Sequence, residues 1–517
     1  MRRYALRAIV AALGAVPLAA CAGQVMITLR PTVVQLPPNG VQEFVATVTG
    51  TANTAVTWTV TGGELAASGP IASYTAPAAV GGYGVTVTSL ADTSRSASAT
   101  VTVAQAGTIG CADPQPPFLT DRVTRQEQPV PEPAPRVAFR DAIYGGCVVR
   151  VTDRTADLAP GDGSSGLKNE YSRVQAFNAD ESLIMAVSPD AFRYLIDAQT
   201  LGPLGPLPAM TDARWSNLDP DLIYYIGELT LMAFDVRTGE HRLVHDFAPD
   251  FAGQDIVAVW TRWEGNPSLD DRHWALMAED GDWMTVEFIV YDLEEDTILA
   301  RRVVSPPADV DSVTMSPLGG YFVAQFDYCE HGMIGSGEAP CGLMVYDRDL
   351  GNARGLLRNV GHSDLALGAS GRELFFYQDN DTDHVALIDL ATGAITNLFP
   401  IDFTYCDGCG MHFSGIGYES PGWGLISYFD ADPITRMWMD DHVFAVELMP
   451  GGRVVRFAQH HSVVDPDEEH DYWAEPHASV NRDFTRVVFT SNWGRSGTGE
   501  IDMYMILLPE DWIDQLP

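Results

Sequence analysis

From residue 143 onward, short runs of alternating apolar and polar residues are separated by polar turns. Each repeat opens with a strand, a turn and a second strand, as in YSRVQAFNADESLIMAVS, and continues with a hairpin such as MAFDVRTGEHRLV. The repeats start at Tyr171, Asp212, Trp260, Asp311, His362, His412 and His477, with steps of 41 to 65 residues. Four strands per unit at this spacing are typical of β-propeller blades. We therefore predict an all-β fold with a seven-bladed propeller over residues 143–510.

Closure of this ring requires a strand from outside the repeats. The last repeat contains three evident strands and ends at Met503–Leu507, whereas Cys147–Val151 is an early strand without a blade. Because an open sheet edge invites unwanted pairing, we expect Cys147–Val151 to complete the last blade.

A separate β-rich segment, residues 25–104, comes before the propeller. Alternating runs such as Glu43–Val48, Ala55–Val60 and Ala97–Val103 are separated by glycine and proline turns, which predicts a β-sandwich with Trp58 in its core. The segments VTWTV, YTAP and the terminal VTV resemble bacterial immunoglobulin-like domains, and this implies a spacer or adhesion module. Residues 105–142 are proline-rich with little apolar pattern, so we expect an extended linker.

The first 21 residues have the pattern of an export signal. Arg2 and Arg3 precede an apolar run, Ala8–Ala20, that is too short to span a bilayer as a permanent helix. The closing Leu18–Cys21 resembles the lipobox of bacterial lipoproteins, which implies cleavage before Cys21 and lipid attachment to its sulfur. A plain signal peptide is the alternative. We therefore expect an exported chain, lipid-anchored in the cell envelope at the outer membrane or the cell surface.

The six cysteines after Cys21 fall into three local pairs, which indicates disulfides formed in an oxidising compartment. The pairs are Cys111 with Cys147, Cys329 with Cys341, and Cys406 with Cys409. The sequence Cys-Asp-Gly-Cys at 406–409 also fits half a zinc site or a redox pair, but the chain has no second CxxC motif. A structural disulfide is the preferred interpretation.

The formal net charge of -38 excludes one class of partner. Nucleic-acid binding needs a basic face, and this chain has 69 acidic residues against 31 lysines and arginines. Among those 31, Lys168 is the single lysine. The simplest interpretation is a solvated acidic surface suited to a salty medium.

The first strand of each propeller blade lines the central channel, so residues at the strand starts converge in space. Blades five, six and seven start with His362, His412 and His477, and Glu475 lies two residues before the last of them. Three imidazoles and a carboxylate suit a divalent ion such as Mn²⁺, Zn²⁺ or Ca²⁺. We assign these four residues as candidate metal ligands.

The starts of the other blades carry arginine, tryptophan, tyrosine and aspartate. Because guanidinium groups bind carboxylates and sulfates bidentately, three arginines opposite the imidazoles predict a site for an anionic ligand. We assign Tyr171, Arg214 and Arg262 as candidate catalytic residues, with Tyr171 as acid or base. The candidate substrate-binding residues are Arg173, Trp215, Trp263 and Asp311.

Each of these assignments has a structural alternative. A histidine at the start of an inner strand also fits a hydrogen bond to neighbouring backbone, and an arginine fits an ion pair with one of the many acids. Three further histidines, His460, His461 and His470, lie in an insert before the last blade. We expect them in an exposed loop, with a position overhanging the channel as the alternative.

The stretch EPHASVNRDFTRVVFTSNWG, with the repeats before it, is similar to a known propeller superfamily. Residues 143–507 resemble the family that includes periplasmic translocation propellers and oligogalacturonate lyases. The resemblance implies that His477 and His412 are metal ligands. The chain departs from the lyase pattern at Glu475, where the family has a second histidine, and at Tyr472, in place of a glutamine.

Two hypotheses for function follow. In the first, the propeller binds an acidic polysaccharide or oligosaccharide and cleaves it by metal-assisted β-elimination, as a polysaccharide lyase acting on uronic acids. In the second, it is a non-catalytic scaffold that binds a ligand or an envelope protein. The chain contains no GxSxG elbow, phosphate-binding glycine loop or HExxH motif.

Overall fold

The computed structural model describes residues 25–30, 32–36, 39–79, 81–103, 109–111, 115–127, 130–406, 408–431 and 437–516. The predicted export signal, residues 1–21 with the lipidation site Cys21, lies outside the described residues. Contacts divide the chain into two compact units, residues 1–32 with 36–104, and residues 33–35 with 105–517. No helix within the described ranges is long and apolar enough to cross a membrane.

Residues 26–103 form eight strands in two antiparallel sheets. They are β1 (Met26–Arg30), β2 (Val33–Leu36), β3 (Val41–Thr49), β4 (Val56–Val60), β5 (Glu64–Ser68), β6 (Ile71–Thr75), β7 (Gly81–Ser89) and β8 (Ser96–Val103). The sheet orders are β1-β3-β6-β5 and β2-β8-β7-β4. Alternate residues are buried, such as Phe44 and Ala46 in β3. Trp58, expected in the core, is only half-buried because β4 is an edge strand, and its Nε1 donates to the Gly69 carbonyl at 3.1 Å.

Seven antiparallel sheets follow among the described residues of the second unit. Sheet 1 consists of β11 (Leu183–Val187), β12 (Arg193–Asp197) and β13 (Pro203–Pro206). Sheet 2 consists of β14 (Thr211–Trp215), β15 (Leu222–Gly227), β16 (Thr230–Asp235) and β17 (His241–Asp246). Sheet 3 consists of β18 (Ile256–Trp260), β19 (His273–Asp280), β20 (Thr285–Asp292) and β21 (Thr297–Ala308). Each strand pairs with its neighbour in the chain, as the repeated hairpins predict.

The next three sheets have the same order. Sheet 4 consists of β22 (Val310–Met315), β23 (Tyr321–Phe326), β24 (Leu343–Asp347) and β25 (Arg354–Leu357). Sheet 5 consists of β26 (Ser363–Leu367), β27 (Glu373–Asp379), β28 (His384–Asp389) and β29 (Ile395–Pro400). Sheet 6 consists of β30 (Gly410–Ser414), β31 (Trp423–Phe429), β32 (His442–Glu447) and β33 (Val454–Gln459). Short 3-10 helices lie at Ala248–Phe251, Phe403–Tyr405 and Glu469–Ala474.

Sheet 7 joins strands from both ends of the unit. It consists of β9 (Ala138–Arg140), β10 (Cys147–Arg150), β34 (Ser479–Val480), β35 (Arg486–Ser491) and β36 (Asp502–Leu507), in the order β34-β35-β36-β10-β9. β10 pairs with β36 from Cys147↔Leu507 to Arg150↔Tyr504, so the early strand stands where the sequence predicts it. β9 corrects the predicted extended linker, because Ala138–Arg140 pairs with β10 and adds a fifth strand.

Apolar side chains between neighbouring sheets form the cores of the ring. Each sheet shares a buried cluster with the next, and the last shares one with the first, because strands inside such sheets carry apolar residues on both faces. The shared pairs, in ring order, are Met185 with Ala213, Tyr224 with Trp274, Phe288 with Phe322, Val323 with Phe375, Phe376 with Phe413, Leu425 with Val487, and Val488 with Ile184. A closed ring of such sheets is a β-propeller.

The segment before β9 is irregular and packs on the propeller. Phe118 lies in the core cluster with Phe457, and Leu119 forms an isolated bridge with Arg456. Glu132 accepts hydrogen bonds from Arg154 and Arg495. Burial opposes ionisation there, but these bonds lower the pKa of Glu132 to about 2. The segment is therefore fastened to the propeller by apolar contacts and ion pairs.

Disulfides join the cysteines in the three predicted pairs. The Cα atoms of Cys111 and Cys147 are 5.8 Å apart, those of Cys329 and Cys341 are 5.0 Å apart, and those of Cys406 and Cys409 are 5.1 Å apart. The first disulfide attaches residue 111 to the closing strand β10. Cys406 and Cys409 staple a loop ahead of β30.

The closing strand gives a stability prediction. Val149 of β10 is fully buried in the cluster shared by sheets 7 and 1, so Val149→Ala should lower the free energy of unfolding by about 2 kcal/mol. Val303→Ala makes the same chemical change at a side chain that is 71% exposed and should shift stability by less than about 0.5 kcal/mol. Denaturant unfolding of both variants measures this. Equal effects would contradict closure by β10.

Candidate functional site

Three imidazoles meet where the inner strands of sheets 5, 6 and 7 begin. His362 precedes β26, His412 lies within β30, and His477 comes two residues before β34. The ring centroids of His362 and His412 are 4.5 Å apart, and those of His412 and His477 are 4.1 Å apart. The structure therefore brings together the three histidines that the aligned repeats single out.

Glu475 joins two of these imidazoles. Its Oε2 lies 2.8 Å from His412 Nε2 and 3.5 Å from His477 Nε2. One ligand atom from each of these three residues lies within 4.8 Å of the others. Both histidines are buried, and neither Nδ1 has a hydrogen-bond partner among the described residues. Two imidazoles and one carboxylate form a donor set that fits a divalent transition metal.

Burial keeps these imidazoles in the form that binds metals. Desolvation, helped by the neighbouring His412, lowers the pKa of His362 to about 3. Desolvation and the charge of Lys168 lower the pKa of His412 to about 3, and the pKa of His477 is lowered well below its usual value. Burial also raises the pKa of Glu475 to about 7, against the effect of His362 and Lys168. At neutral pH the imidazoles are neutral, as metal coordination requires.

Local backbone structure places Glu475 and His477. Glu475 follows the 3-10 helix Glu469–Ala474, and His477 has a positive φ of 41°. The His477 carbonyl accepts a hydrogen bond from Asn169 Nδ2 at 2.6 Å, and Thr490 Oγ1 donates to Asn169 Oδ1 at 2.9 Å. Asn169 precedes sheet 1, so this contact attaches the start of the propeller to its last sheet.

Tyr171 lies beside all three imidazoles. Its hydroxyl is 3.3 Å from His362 Nδ1, and its ring centroid is 5.0 Å from that of His477 and 5.5 Å from that of His412. Residues 168–177 approach β11 through two isolated bridges, Lys168↔Val187 and Phe177↔Ile184, in place of a regular inner strand. Burial raises the pKa of Tyr171 well above its usual value, so the hydroxyl keeps its proton. Of the two roles expected for Tyr171, proton donor fits better.

Arg173 lies next to Tyr171 and is surrounded by carboxyl groups. Its Nη2 is 3.1 Å from Glu264 Oε2, and its charge acts on Asp311 and Asp364. Burial raises the pKa of Asp364 to about 7 and also raises the pKa of Asp311, although the positive charge of Arg173 lowers both. Arg173 and Asp311 thus belong to one charge cluster in the channel, which also includes Glu264, a residue that the sequence analysis did not select.

The other two arginines correct the expectation of a free guanidinium wall. Arg214 is buried, donates to the carbonyls of Ala213 and Gly265 at 2.7 Å each, and lies 2.9 Å from Asp212. Arg262 binds Asp309 at 2.8 Å. Both guanidiniums are held by groups of the chain itself. Alignment of the repeats gave their positions in the repeat, but it does not specify the contacts of Arg214 with Gly265 and of Arg262 with Asp309, which lie 51 and 47 residues further along the chain.

The two tryptophans selected as substrate-binding residues are structural in this fold. Trp215 is buried in the core between sheets 1 and 2, and its Nε1 donates to the Ala176 carbonyl at 3.2 Å. Trp263 packs on Trp260, with ring centroids 4.6 Å apart. Large aromatic groups beside an inner strand are thus used for packing between sheets.

The insert before sheet 7 also differs from expectation. His460 and His461 are buried, while His470 is exposed. His460 Nε2 donates to the Tyr428 carbonyl at 2.9 Å, and His461 Nδ1 bonds to Glu127 Oε1 at 2.5 Å. The segment before β9 covers this part of the insert, which the local sequence does not reveal.

Lys168 is the functional candidate that the sequence analysis missed. Its side chain is buried, and burial lowers its pKa to about 8. The charge of Lys168 in turn lowers the pKa of both His412 and His477. The available signal was its uniqueness as the single lysine of the chain.

Comparisons with known proteins give no family for this chain. No family model and no curated protein matches this chain. It is similar to a solved chain of hydrazine synthase from Kuenenia stuttgartiensis, with 12% identity, 65% of this chain and 95% of that chain covered, and a TM-score of 0.40. It is also similar to the β-propeller domain of Cps50 (Swd1) from Myceliophteria thermophila, with 12% identity, coverage of 65% and 96%, and a TM-score of 0.38. The propeller assignment rests on the sheets themselves.

The carboxyl group of Glu279, which is buried beside Arg262, gives a prediction about how stability depends on pH. Glu279 is fully buried 3.7 Å from Arg262, and burial raises the pKa of Glu279 to about 7 against the charge of Arg262. A raised folded-state pKa means that the folded chain binds more protons, so this contribution to stability is lost as pH rises from about 5 to 8. Between pH 5 and pH 8, the free energy of unfolding of Glu279→Gln should therefore rise by about 2 kcal/mol relative to that of wild type.

Unfolding free energies of wild type and Glu279→Gln at pH 5 and pH 8 test this prediction. Glu240→Gln, the same change at an exposed position, serves as the control and should show no such trend. A stability difference between Glu279→Gln and wild type that stays constant across the range would contradict a buried, titrating Glu279.

Proposed function

We propose that this chain is an exported, lipid-anchored protein whose propeller binds an acidic polysaccharide at a divalent-metal site and cleaves it by β-elimination. In this proposal the seven sheets are the blades of a seven-bladed propeller, and the first unit is an immunoglobulin-like sandwich that serves as a stalk. The observation that carries the proposal is the convergence of His412, Glu475 and His477 within 4.8 Å.

The metal-binding part of the proposal assigns roles to four residues. His412, Glu475 and His477 hold the ion, and His362 stands next to them as a further imidazole. A bound divalent ion would neutralise the carboxylate of a uronic acid and acidify the neighbouring C–H bond. The three disulfides support the export part, because disulfides persist in oxidising compartments.

The proposed reaction needs a base and an acid. β-Elimination removes the proton next to the carboxylate and breaks the C–O bond one carbon further on, whose oxygen leaves with a proton. Tyr171 holds a proton at its hydroxyl and donates it to the leaving oxygen. His362, neutral and 3.3 Å from that hydroxyl, accepts a proton. In this proposal a protonated hydroxyl and a neutral imidazole thus stand side by side as the acid and the base.

A non-catalytic binding propeller is the second candidate. It is favoured by the ion pairs of Arg173, Arg214 and Arg262, whose charges are already met by acidic groups of the chain. A scaffold needs no free guanidinium groups for catalysis. The two candidates share the metal site and differ in turnover.

Metal content tests the shared part. After equilibration with Mn²⁺ or Zn²⁺ and removal of the excess, wild type should retain one ion per chain. His412→Ala and Glu475→Gln should lower the affinity by roughly a hundredfold each, because each removes a ligand from a site of three. His331→Ala changes an exposed histidine that is not among the proposed ligands and is the control.

Elemental analysis and competitive chelator titration measure these affinities. Equal retention by His412→Ala, Glu475→Gln and the control would place the ion elsewhere. A wild-type chain that retains no ion would remove the metal site from both candidates.

Turnover separates the two candidates. Incubation of the metal-loaded chain with a panel of uronic-acid polymers should produce unsaturated products, seen as new ultraviolet absorbance. Tyr171→Phe removes the phenolic proton and should lower kcat about a hundredfold without changing metal content. Tyr328→Phe makes the same change at an exposed ring and should have no effect. Binding of a polymer without any new absorbance would reject the lyase and support the scaffold.

A further inference from the structure

The single lysine of the chain is built into the edge of the imidazole site. The backbone of Lys168 pairs with Val187 of β11 through two hydrogen bonds of 2.8 Å. The side chain is 4% exposed, and Nζ donates to the carbonyls of Asn169 at 2.9 Å and Glu170 at 2.8 Å. Nζ also lies 5.9 Å from the ring of Trp473. Together these contacts hold the amino group in one position.

This buried cation has no carboxylate partner among the described residues within 4 Å. The two carboxylates whose charges act on Lys168 make their short contacts with other residues: Glu170 lies 2.9 Å from Arg193, and Glu475 lies 2.8 Å from His412. An ammonium has three N–H donors, and two of them are used on carbonyl groups. A buried ammonium that forms no direct ion pair is costly, so its presence points to a ligand whose anionic group binds the unused N–H.

The ammonium lies on the side of the site formed by Asn169, Trp473 and Glu475. Asn169 follows Lys168 directly and donates to the His477 carbonyl at 2.6 Å. Trp473, under the ammonium, lies two residues before Glu475 in the chain. The unused N–H is thus held within the same small region as the metal-ligand candidates.

The residue type at position 168 is unusual for this chain. The chain uses arginine at all other 30 basic positions of its 31 lysines and arginines. The three channel arginines that were expected to bind an anion are occupied by acids and carbonyls of the chain. Lysine offers a compact point charge that fits beside a metal ion, whereas arginine presents a wide planar fork.

We propose that Lys168 is the anion-binding residue of this site and that its third N–H holds a ligand carboxylate next to the imidazole cluster. This inference rests on the acidic ligand of the proposed function and assigns its recognition to a lysine in place of the arginines. Sulfate shares the relevant chemistry, and the test separates the two anions. The role is one of binding and positioning.

The first measurement is ligand binding by the full chain, followed by calorimetry. The probes are trigalacturonate, the neutral galactotriose of the same length, and inorganic sulfate. Wild type should bind trigalacturonate more tightly than galactotriose, and Lys168→Met should remove that preference, weakening trigalacturonate roughly tenfold or more. Sulfate binding that depends on Lys168, without trigalacturonate binding, would identify a sulfated ligand. An unchanged preference in Lys168→Met would overturn the proposal.

Thermal stability distinguishes an anion-binding lysine from a structural one. Saturating trigalacturonate should raise the Tm of wild type and leave that of Lys168→Met unchanged, because a ligand stabilises the folded chain that it binds. A structural lysine predicts the same rise in both chains. Metal content measured in the same samples separates the test of Lys168 from the test of the metal site. If Lys168→Met loses carboxylate binding but retains the metal, the result concerns Lys168 alone. A wild type that binds trigalacturonate through Lys168 but retains no metal would reject the proposed metal site only.

The second measurement uses wild type and does not depend on folding of a variant. Reductive methylation with formaldehyde modifies lysine amines, and mass spectrometry of the one lysine-containing peptide reports Lys168 directly. Saturating trigalacturonate should slow its modification about tenfold, and galactotriose should not. Equal modification with and without trigalacturonate would overturn the proposal. Complete resistance without ligand would also overturn it, because an amine that formaldehyde cannot reach cannot bind a sugar carboxylate.

Discussion

Closure of the sheet ring by β10 is the constraint on which the candidate site depends. The site takes His362, His412 and His477 from sheets 5, 6 and 7, but Tyr171 comes from the segment that precedes sheet 1. Pairing of Cys147↔Leu507 and the following residues binds the strand that precedes sheet 1 to the last sheet. The hydrogen bond from Asn169 to the His477 carbonyl attaches the segment of Tyr171 to the same sheet.

Closure also produces the electrostatics of the site. Because the inner strands meet inside the ring, their ionisable groups lose water, and burial is the largest influence on the pKa of all three imidazoles. The imidazoles stay neutral, and Tyr171 stays protonated. Among the described residues, the Lys and Arg side chains whose charges lower the pKa of these imidazoles are Arg173 and the single lysine. An acidic chain thus encloses a small region in which two positive charges face a cluster of metal-ligand side chains.

The sequence predicted the architecture well because propeller repeats carry period-two alternation that local side chains alone determine. The alignment of those repeats also found the three histidines, since residues at equivalent strand starts must converge. It failed for Arg214, Arg262 and Trp215. Their contacts with Gly265, Asp309 and Ala176 lie outside their own strands, and the repeat pattern does not specify them. Trp263 packs on Trp260, three residues earlier in the chain. Lys168 was missed for a different reason: it lies on an irregular segment attached to β11 by isolated bridges, so no strand position marks it.

A crystal of the full chain soaked in Mn²⁺ tests the central claim most directly, through the anomalous difference map. The account predicts a single strong peak inside the ring, coordinated by His412, Glu475 and His477, with the first and last sheets joined by β10. No peak at these three residues, or imidazoles turned away from one another into the sheets, would contradict it.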